Sequence, residues 1–395
     1  MNTTIVGGGF GGVKAALELA KNPSAQVTLI TDKPDFQYYP ALYGAATGHS
    51  HLESWVPLQT IFAGKKNVTV IIDTIESINP ATKSLTSATG TKYTYETCIL
   101  ALGTVTTYFG IDGLDVHTFG VKSADEIEEL KQHIYTDVVE GHGVDKRYIV
   151  IGAGPTGVEL SAALGSYLKN LSKRLGQRQS KIHVTLVEAA PRILPRMSEK
   201  ASEKVAHRLK RLGVDIYTDK KVESAIEDLL TVSGNSMVSD TVIWTSGVAN
   251  HPFYKANAGH FELAPNGRIV VDQYMSVGKD VYVIGDNAAT PFTGLAQTAL
   301  HDAIFVASHL NRLNTKQELV AYKAVQPPVV VPVGEHWAIF EWHKLRLSGW
   351  PASVLRRAAD FMGYSDLLPI GQALGVWHAG SKRNVDVAPL ASTKK

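Results

Sequence analysis

This chain of 395 residues has one cysteine, no long apolar run and almost no excess of charge. Because Cys98 stands alone, the sequence excludes an intrachain disulfide, a redox-active dithiol and a thiolate cluster that could hold a metal. No apolar run approaches the roughly 18 residues of a membrane-spanning helix. The 39 basic and 37 acidic residues leave a formal charge of +2, too balanced for a nucleic-acid-binding surface. We therefore expect no metal site and no nucleic-acid partner, and only peripheral contact with any membrane.

The length of the chain indicates more than one domain. Single hydrophobic cores usually stop growing at roughly 250 to 300 residues, so two or three domains are expected here. The apolar content of 44% and the charged content of 19% are typical of a folded globular protein. The N-terminal residues form a strand-like stretch without the basic region and apolar core of a signal peptide, so none is expected.

Two stretches repeat the order strand, glycine turn, helix, strand. The first runs from IVGGGFGG, at Ile5, through a helical pattern to the apolar residues 27–30. The second runs from the apolar residues 148–151 through GAGPTG and a long helical pattern to the strand at 183–187. Parallel strands joined by a crossover helix pack well only when helices cover the sheet. The sequence therefore predicts an α/β protein with two Rossmann-like dinucleotide-binding domains.

The first glycine turn satisfies the GxGxxG pattern through Gly7, Gly9 and Gly12. The first glycine permits the turn, the second lets the backbone approach a pyrophosphate, and the third allows close packing of helix on strand. An acid at the end of the second strand should bind a ribose hydroxyl. Asp32 is the candidate acid, with Thr31 one residue earlier, and the sequence leaves open which of the two lies at the strand end.

The second turn repeats this pattern with Gly152, Gly154 and Gly157, and its strand-end acid is Glu188. A carboxylate accepts a hydrogen bond from a free 2′-hydroxyl and repels a 2′-phosphate, so NADH is expected rather than NADPH. The interval to Glu188 exceeds the usual distance of about 20 residues. We attribute the excess to a polar, basic insertion at 169–181, an extended helix end and loop.

Two dinucleotide sites in one chain are explained if one holds a bound flavin dinucleotide and the other a diffusing nicotinamide dinucleotide. Because Cys98 has no thiol partner, the second substrate must take electrons from the flavin directly. Asp286 follows an apolar strand and Gly285, and its carboxylate could accept a hydrogen bond from the flavin ribityl chain. The alternative is that Asp286 caps the helix that follows.

Changes of pattern along the chain suggest four segments. Residues 1–112 and 251–325 are expected to form the FAD-binding domain as a first part and a return segment, and residues 113–250 the NADH-binding domain. Residues 326–395 are expected to form a separate C-terminal module, because this segment opens with three prolines in seven residues and holds four of the six tryptophans.

The combined motifs resemble the type II NADH:quinone oxidoreductases, from Ile5 to about Asn311. The matching stretches are YPALY at Tyr39, ATG at Ala46, ALG ending at Gly103, YFG at Tyr108, GAGPTGVEL at Gly152, LVEAAPRILP at Leu186, VIWTSGV at Val242 and IGD at Ile284. The resemblance implies an FAD enzyme that passes electrons from NADH to a quinone without pumping protons. It implies that FAD is bound at Gly7, Gly9, Gly12, Asp32, Gly103, Asp286 and Ala296, and NADH at Gly152, Gly154, Gly157 and Glu188.

Three catalytic residues also follow from the resemblance. Relatives place a glutamate that matches Glu159 near the nicotinamide and flavin rings; the alternative is a helix acid stabilised by the macrodipole. The family pattern AQxAxQ, beside flavin and quinone, matches residues 296–301, beginning with Ala296. Gln297 and His301 share one helix face, which we expect to meet the quinone headgroup. His301 replaces the second glutamine of the pattern, and an imidazole can also carry a proton at physiological pH.

The C-terminal module is expected to contact a membrane surface. An apolar stripe at helical spacing, with two arginines and an aspartate off it, is typical of a helix in the headgroup plane. The alternative is a core or a subunit interface. Family analogy further predicts a homodimer and a peripheral position on the cytoplasmic face of the cell membrane. The stripe consists of Val354, Leu355, Ala358, Phe361 and Met362.

Three competing functions differ from this one in the electron donor, the electron acceptor or the mode of action. A sulfide:quinone oxidoreductase shares the fold, but relatives of that type use cysteine pairs, which Cys98 cannot supply. A soluble reductase with a non-quinone acceptor would have little use for the tryptophan-rich tail. A flavoprotein like apoptosis-inducing factor would act through partner binding, and slow reoxidation by quinones would distinguish it.

Overall fold

The computed structural model describes residues 2–140, 145–176 and 181–380. Part of the predicted insertion, 177–180, and the end of the predicted C-terminal module, 381–395, lie outside the described residues.

The described helices and strands follow one another with short connections. The helices are α1 (Phe10–Leu19), α2 (Leu42–Ala46), α3 (Leu58–Ile61), α4 (Leu114–His117), α5 (Ala124–Glu140), α6 (Pro155–Arg174), α7 (Glu199–Arg211), α8 (Pro252–Ala256), α9 (Ala296–Asn314), α10 (Trp350–Ser365) and α11 (Ile370–Ala379). The strands are β1 (Asn2–Val6), β2 (Gln26–Thr31), β3 (Asp35–Gln37), β4 (Trp55–Pro57), β5 (Val68–Ile72), β6 (Ile75–Asn79), β7 (Ser84–Ser87), β8 (Lys92–Thr94), β9 (Thr97–Leu100), β10 (Thr104–Thr106), β11 (Lys146–Ile151), β12 (Ile182–Val187), β13 (Val214–Tyr217), β14 (Val222–Ile226), β15 (Leu229–Val232), β16 (Asn235–Val238), β17 (Thr241–Trp244), β18 (Val248–Asn250), β19 (Ser276–Gly278), β20 (Val281–Val283), β21 (Val329–Pro332), β22 (Ala338–Trp342) and β23 (Leu345–Gly349).

A sheet of six strands, in the order β19, β20, β9, β1, β2, β5, carries the first glycine turn. The strands from β20 to β5 run parallel, and β19 pairs antiparallel at the edge. Helices α1 and α9 pack against each other and share one apolar core with this sheet. Since β20 follows the second glycine turn in the chain, the polypeptide returns to its first sheet after building the second.

The second sheet has four parallel strands in the order β13, β12, β11, β17. Helix α6 crosses from β11 to β12, and its N-terminus is the second glycine turn. The helix continues to Arg174, so it accounts for the first part of the predicted insertion. Strands β10 and β18 pair antiparallel where the chain leaves the first sheet and comes back.

The C-terminal module joins both cores. Strands β21 to β23 form an antiparallel sheet on which α10 packs. Val331 and Ile339 belong to the core of the second sheet, whereas Tyr364 and Leu367 belong to the core of the first. Within the described ranges, no helix has both the length and the apolarity to cross a membrane.

Candidate functional site

The first glycine turn is closed towards the protein and open at one position. A Cβ on Gly12 would lie 1.8 Å from the carbonyl oxygen of Gly7, so no side chain fits between helix and strand. Gly7 has a φ of +112°, which side chains rarely allow. A Cβ on Gly9 would meet nothing within 4 Å. The backbone at Gly9 therefore leaves room for a ligand beside the first amides of α1, where a pyrophosphate is favoured.

The structure separates the two candidates at the end of β2. Thr31 is the last residue of the strand and is buried, and a Cβ on Gly8 would lie 2.5 Å from its hydroxyl oxygen. Asp32 is the first residue beyond the strand and is exposed. Thr31 thus packs against the glycine turn, and Asp32 is the residue with a side chain free to meet a ribose; its contact with FAD stays a prediction.

The second glycine turn has the same geometry as the first. A Cβ on Gly157 would lie 1.8 Å from the carbonyl oxygen of Gly152, and a Cβ on Gly154 would meet nothing within 4 Å. Glu188 follows the end of β12 and accepts hydrogen bonds from the backbone N–H groups of Ala153 (2.6 Å) and Ala190 (2.8 Å). Each carboxylate oxygen keeps a second lone pair, so Glu188 is fixed in place while still able to accept ribose hydroxyls.

Asp286 lies in a short 3₁₀ turn after β20, in a half-buried position. Burial raises the pKa of its carboxyl group, and the guanidinium of Arg268, the N–H of Gly294 and the hydroxyl of Thr104 act in the opposite direction. The predicted alternative, a helix cap, is wrong: the residue before α9 is Leu295, which makes no side-chain cap. The polar groups around Asp286 fit a carboxylate that accepts a ligand hydroxyl.

Asn287, which the sequence analysis did not single out, connects Asp286 to the predicted residue Gly103. It is fully buried, its Oδ1 accepts the N–H of Gly103 at 2.7 Å, and its amide nitrogen donates to the Gly103 carbonyl. The same nitrogen donates to Asn250 Oδ1 at 2.6 Å. One amide therefore ties together the ends of β9, β18 and β20, and a polar residue beside the Gly-Asp pair is the only signal that the sequence offered.

Helix α9 begins at Ala296, so Gln297 and His301 lie one turn apart on it, as predicted. Gln297 is exposed, and His301 is half-buried. The Nε2 atom of His301 lies 2.9 Å from the carbonyl oxygen of Lys323, so this nitrogen carries a hydrogen and donates it. The extended segment that holds Lys323 thereby fixes the orientation of the imidazole.

Asp302, on the inner side of α9, is a second polar residue that the sequence analysis missed. It is fully buried; its carboxylate accepts the N–H of Gly285 at 3.0 Å and the hydroxyl of Tyr322 at 2.6 Å. Burial raises the pKa of this carboxyl group, and the two hydrogen bonds oppose the rise. Asp302 therefore anchors two segments to α9. One is the loop of Asp286, and the other contains Tyr322 and Lys323, whose carbonyl oxygen accepts the hydrogen bond of His301. An acid at an otherwise apolar position of the helix was its only sequence signal.

Glu159 is buried in the second turn of α6, and burial raises its pKa to about 8. The guanidinium of Arg356, on α10, lies 3.7 Å from its carboxylate and opposes the rise. The role of Glu159 near the nicotinamide and flavin rings stays a prediction, beside the alternative of a helix acid stabilised by the macrodipole. On α10, the side chains of Arg356 and Asp360, which lie off the apolar stripe, face the protein interior.

Comparison with known proteins identifies the family of this chain. A sequence model of the pyridine nucleotide-disulphide oxidoreductase family matches residues 1–303. The chain belongs to this family. A type II NADH:quinone oxidoreductase of Mycobacterium tuberculosis is 30% identical over 77% of this chain and 71% of its own length. One from Staphylococcus epidermidis is 26% identical over 93% of this chain and 96% of its own. Within the family, the chain is therefore a member of the type II NADH:quinone oxidoreductases.

Two solved structures have the same fold as this chain. NDH2 of Plasmodium falciparum, in complex with NADH, superposes with a TM-score of 0.86 at 17% identity and covers 98% of this chain and 99% of its own. The sulfide:quinone oxidoreductase of Aquifex aeolicus reaches 0.77 at 18% identity over 91% and 89%. These likenesses confirm the predicted α/β class with two Rossmann-like domains.

Proposed function

We propose that this family member oxidises NADH, holds FAD in the first glycine turn and delivers the electrons to a quinone without pumping protons. The observation that carries the proposal is the pair of dinucleotide turns in a chain that has no thiol pair. Cys98 is fully buried in β9, and burial raises the pKa of its thiol, so it offers no route for electrons. The name of the Mycobacterium tuberculosis relative supplies the acceptor class.

The residues of the first turn fit the FAD pyrophosphate and ribose. Gly7 and Gly12 close the turn on the protein side, Gly9 leaves it open, and Asp32 is exposed beside it. We assign the hydrogen bonds to the polar groups of the flavin to Asp286 and to the backbone at Gly103. Asn287, the neighbour of Asp286 in the chain, is hydrogen-bonded to Gly103 and so keeps the two close together. When bound, FAD accepts a hydride from NADH and gives up two electrons to the acceptor.

The second turn fits NADH better than NADPH. Glu188 is already held by two backbone donors, so it cannot swing away from an incoming 2′-phosphate without losing both hydrogen bonds. A free 2′-hydroxyl, in contrast, can donate to a carboxylate oxygen that has a lone pair left.

The overall reaction consumes NADH, one proton and a quinone, and yields NAD⁺ and a quinol. We assign three side chains of this chain, Glu159, Gln297 and His301, to the handling of protons and of the acceptor. Glu159 has a pKa of about 8, so it holds a proton at neutral pH and can release it. Gln297 and His301 present hydrogen-bonding groups on one face of α9, which we assign to the quinone headgroup.

We further propose that α10 and α11 attach the enzyme to a membrane surface. Six large apolar side chains of these helices are between 39% and 69% exposed: Trp350, Val354, Leu355, Met362, Ile370 and Leu374. Exposed apolar side chains of this size are costly in water and favourable at a lipid interface. Phe361, the remaining large residue of the predicted stripe, is half-buried against Trp377. A homodimer and the cytoplasmic face of the cell membrane are proposed from family analogy alone.

An absorption experiment tests the proposed function. The purified protein should show flavin bands, NADH should bleach them, and a water-soluble quinone analogue should restore them quickly. Purified protein whose dinucleotide sites are occupied but that shows no flavin absorption would contradict the proposal. Bleaching by NADH without reoxidation by any quinone would favour a flavoprotein that works through partner binding, and reoxidation by a ferredoxin alone would favour a soluble reductase.

A further inference from the structure

Arg356 connects three parts of the molecule through one buried guanidinium. Its side chain is 12% exposed and lies on the inner face of α10. The Nε–H group donates to the carboxylate of Asp360, on the same helix, at 3.0 Å. The guanidinium nitrogen Nη2 donates to the carbonyl oxygen of Pro40, in the first domain, at 2.7 Å. The other terminal nitrogen lies 3.7 Å from Glu159, in the second domain.

The cluster contains two carboxyl groups and one cation; the side chains of Arg356 and Glu159 are largely buried, and that of Asp360 is half-buried. Asp360 accepts hydrogen bonds from Arg356 and, at 3.2 Å, from the hydroxyl of Tyr38. Glu159 has the longer contact with the guanidinium and a side chain that is only 9% exposed. One cation cannot neutralise two neighbouring carboxylates, so a proton that enters the cluster is held by Glu159, the more buried acid with the longer contact to the cation.

The groups around Glu159 come from two elements besides its own helix. Arg356 and Asp360 act from α10, and Tyr43 acts from α2. The pKa of the Tyr43 hydroxyl is raised by burial, so it is neutral in the physiological range. The only cation among these groups is therefore carried by α10, the helix whose opposite face is apolar and exposed.

We infer that Arg356 is a positioning residue. Through it, the position of α10 relative to α6 sets the protonation state of Glu159. The guanidinium favours the carboxylate of Glu159, and Asp360 on the next turn disfavours it. A displacement of α10 away from α6 would remove the cation and leave Glu159 protonated. The inference deepens the proposed function and depends on it for the role of Glu159 in the reaction.

Infrared titration of the oxidised, FAD-loaded protein tests the inference without turnover. The C=O stretch of a protonated carboxylic acid should disappear with a midpoint near the pKa of Glu159, and Glu159→Gln identifies this band. Arg356→Gln should move the midpoint upward by about one to three pH units, the usual effect of a neighbouring guanidinium on an acid. Arg356→Lys, which retains the charge, should move it less.

Two further variants keep the test decisive. Asp360→Asn removes the competing carboxylate and should move the midpoint downward, so the inference can fail even if Arg356→Gln does not fold. Arg357→Gln changes the neighbouring arginine, whose guanidinium lies over the Trp377 ring, and should leave the midpoint in place. An unchanged midpoint in folded Arg356→Gln, or an equal shift in Arg357→Gln, would overturn the inference. Absence of quinone reduction by the wild type would contradict the proposed function but would not affect this titration.

Discussion

The last glycine of each dinucleotide turn is required because the backbone leaves no space for a side chain. Gly12 and Gly157 are in equivalent places, and a Cβ on either would come within 1.8 Å of a backbone oxygen. No side chain can be accommodated at that distance, so these positions would require glycine even without a ligand. Gly9 and Gly154 have open space instead, and there we expect the requirement for glycine to come from an approaching dinucleotide.

Glu188→Ala should weaken the use of NADH. A hydrogen bond to a charged group contributes about 1.5–3 kcal/mol of binding free energy. Without it, kcat/KM for NADH should fall roughly 10- to 100-fold. The value for NADPH should fall less, because repulsion of the 2′-phosphate disappears as well. Steady-state kinetics with both nucleotides measures this, and Glu227→Gln, an exposed acid of the same domain, is the matched control. An equal loss with both nucleotides would contradict the assignment.

Glu159→Gln should flatten the pH dependence of stability. The folded protein holds the Glu159 proton with a pKa of about 8, against an ordinary value of 4.5, so it binds this proton more tightly than the unfolded chain. The contribution to stability is therefore complete below pH 4.5 and is lost as the pH rises through about 8. Across that window the wild type should lose about 1.4 kcal/mol per pH unit from this group. Urea unfolding at several pH values should show this slope in the wild type only; parallel curves would count against it.

At the scale of elements, α9 and α10 each have two faces that differ in their residues and in what they contact. The inner side of α9 holds Asp302 and packs against α1, while Gln297 is exposed. Helix α10 reverses the common amphipathic arrangement, since its charged residues Arg356 and Asp360 face inward and its apolar stripe faces outward. The stripe was visible in the sequence, but its direction was not, because periodicity does not say which face meets the protein.

His301→Ala should slow reduction of the acceptor about 100-fold while reduction of the flavin by NADH stays fast, as expected for loss of one acid–base group. His301→Gln restores the family pattern and keeps a donor for the Lys323 carbonyl, so it should remain active. Stopped-flow spectroscopy resolves the two half-reactions. If both are unchanged in His301→Ala, this residue has only a packing role.

At the scale of the whole molecule, the C-terminal module completes the fold. Its sheet contributes Val331 and Ile339 to one core, and its helices contribute Tyr364 and Leu367 to the other. A deletion from residue 330 onward would therefore expose both cores and could not test membrane attachment alone. Surface substitutions on α10 separate the two roles.

Val354→Asp combined with Met362→Asp should reduce the fraction of protein that sediments with lipid vesicles. These side chains are 47% and 65% exposed, so the charges cost little in the folded protein but oppose entry into a lipid interface. Val238→Asp, on β16 and 54% exposed, provides a control that should sediment like the wild type. Undiminished sedimentation of the double variant would place the attachment site elsewhere.

The sequence alone was sufficient for the two βαβ units, their glycine turns and Glu188, because these depend on short segments whose geometry is local. Turn, helix start and strand end lie within a few dozen residues, and backbone sterics restrict them to one arrangement. The single cysteine likewise excludes a dithiol relay, because such a relay needs two thiols whatever the fold.

Only the tertiary structure decided which distant residues meet. Asn287 joins Gly103 across 184 positions, and Arg356 reaches Glu159 from the far end of the chain. It also distinguished Thr31, buried at the end of β2, from Asp32, exposed beyond it. Such contacts and burials arise where separate elements pack, and packing depends on the shape of the whole core, which no local pattern of residues encodes.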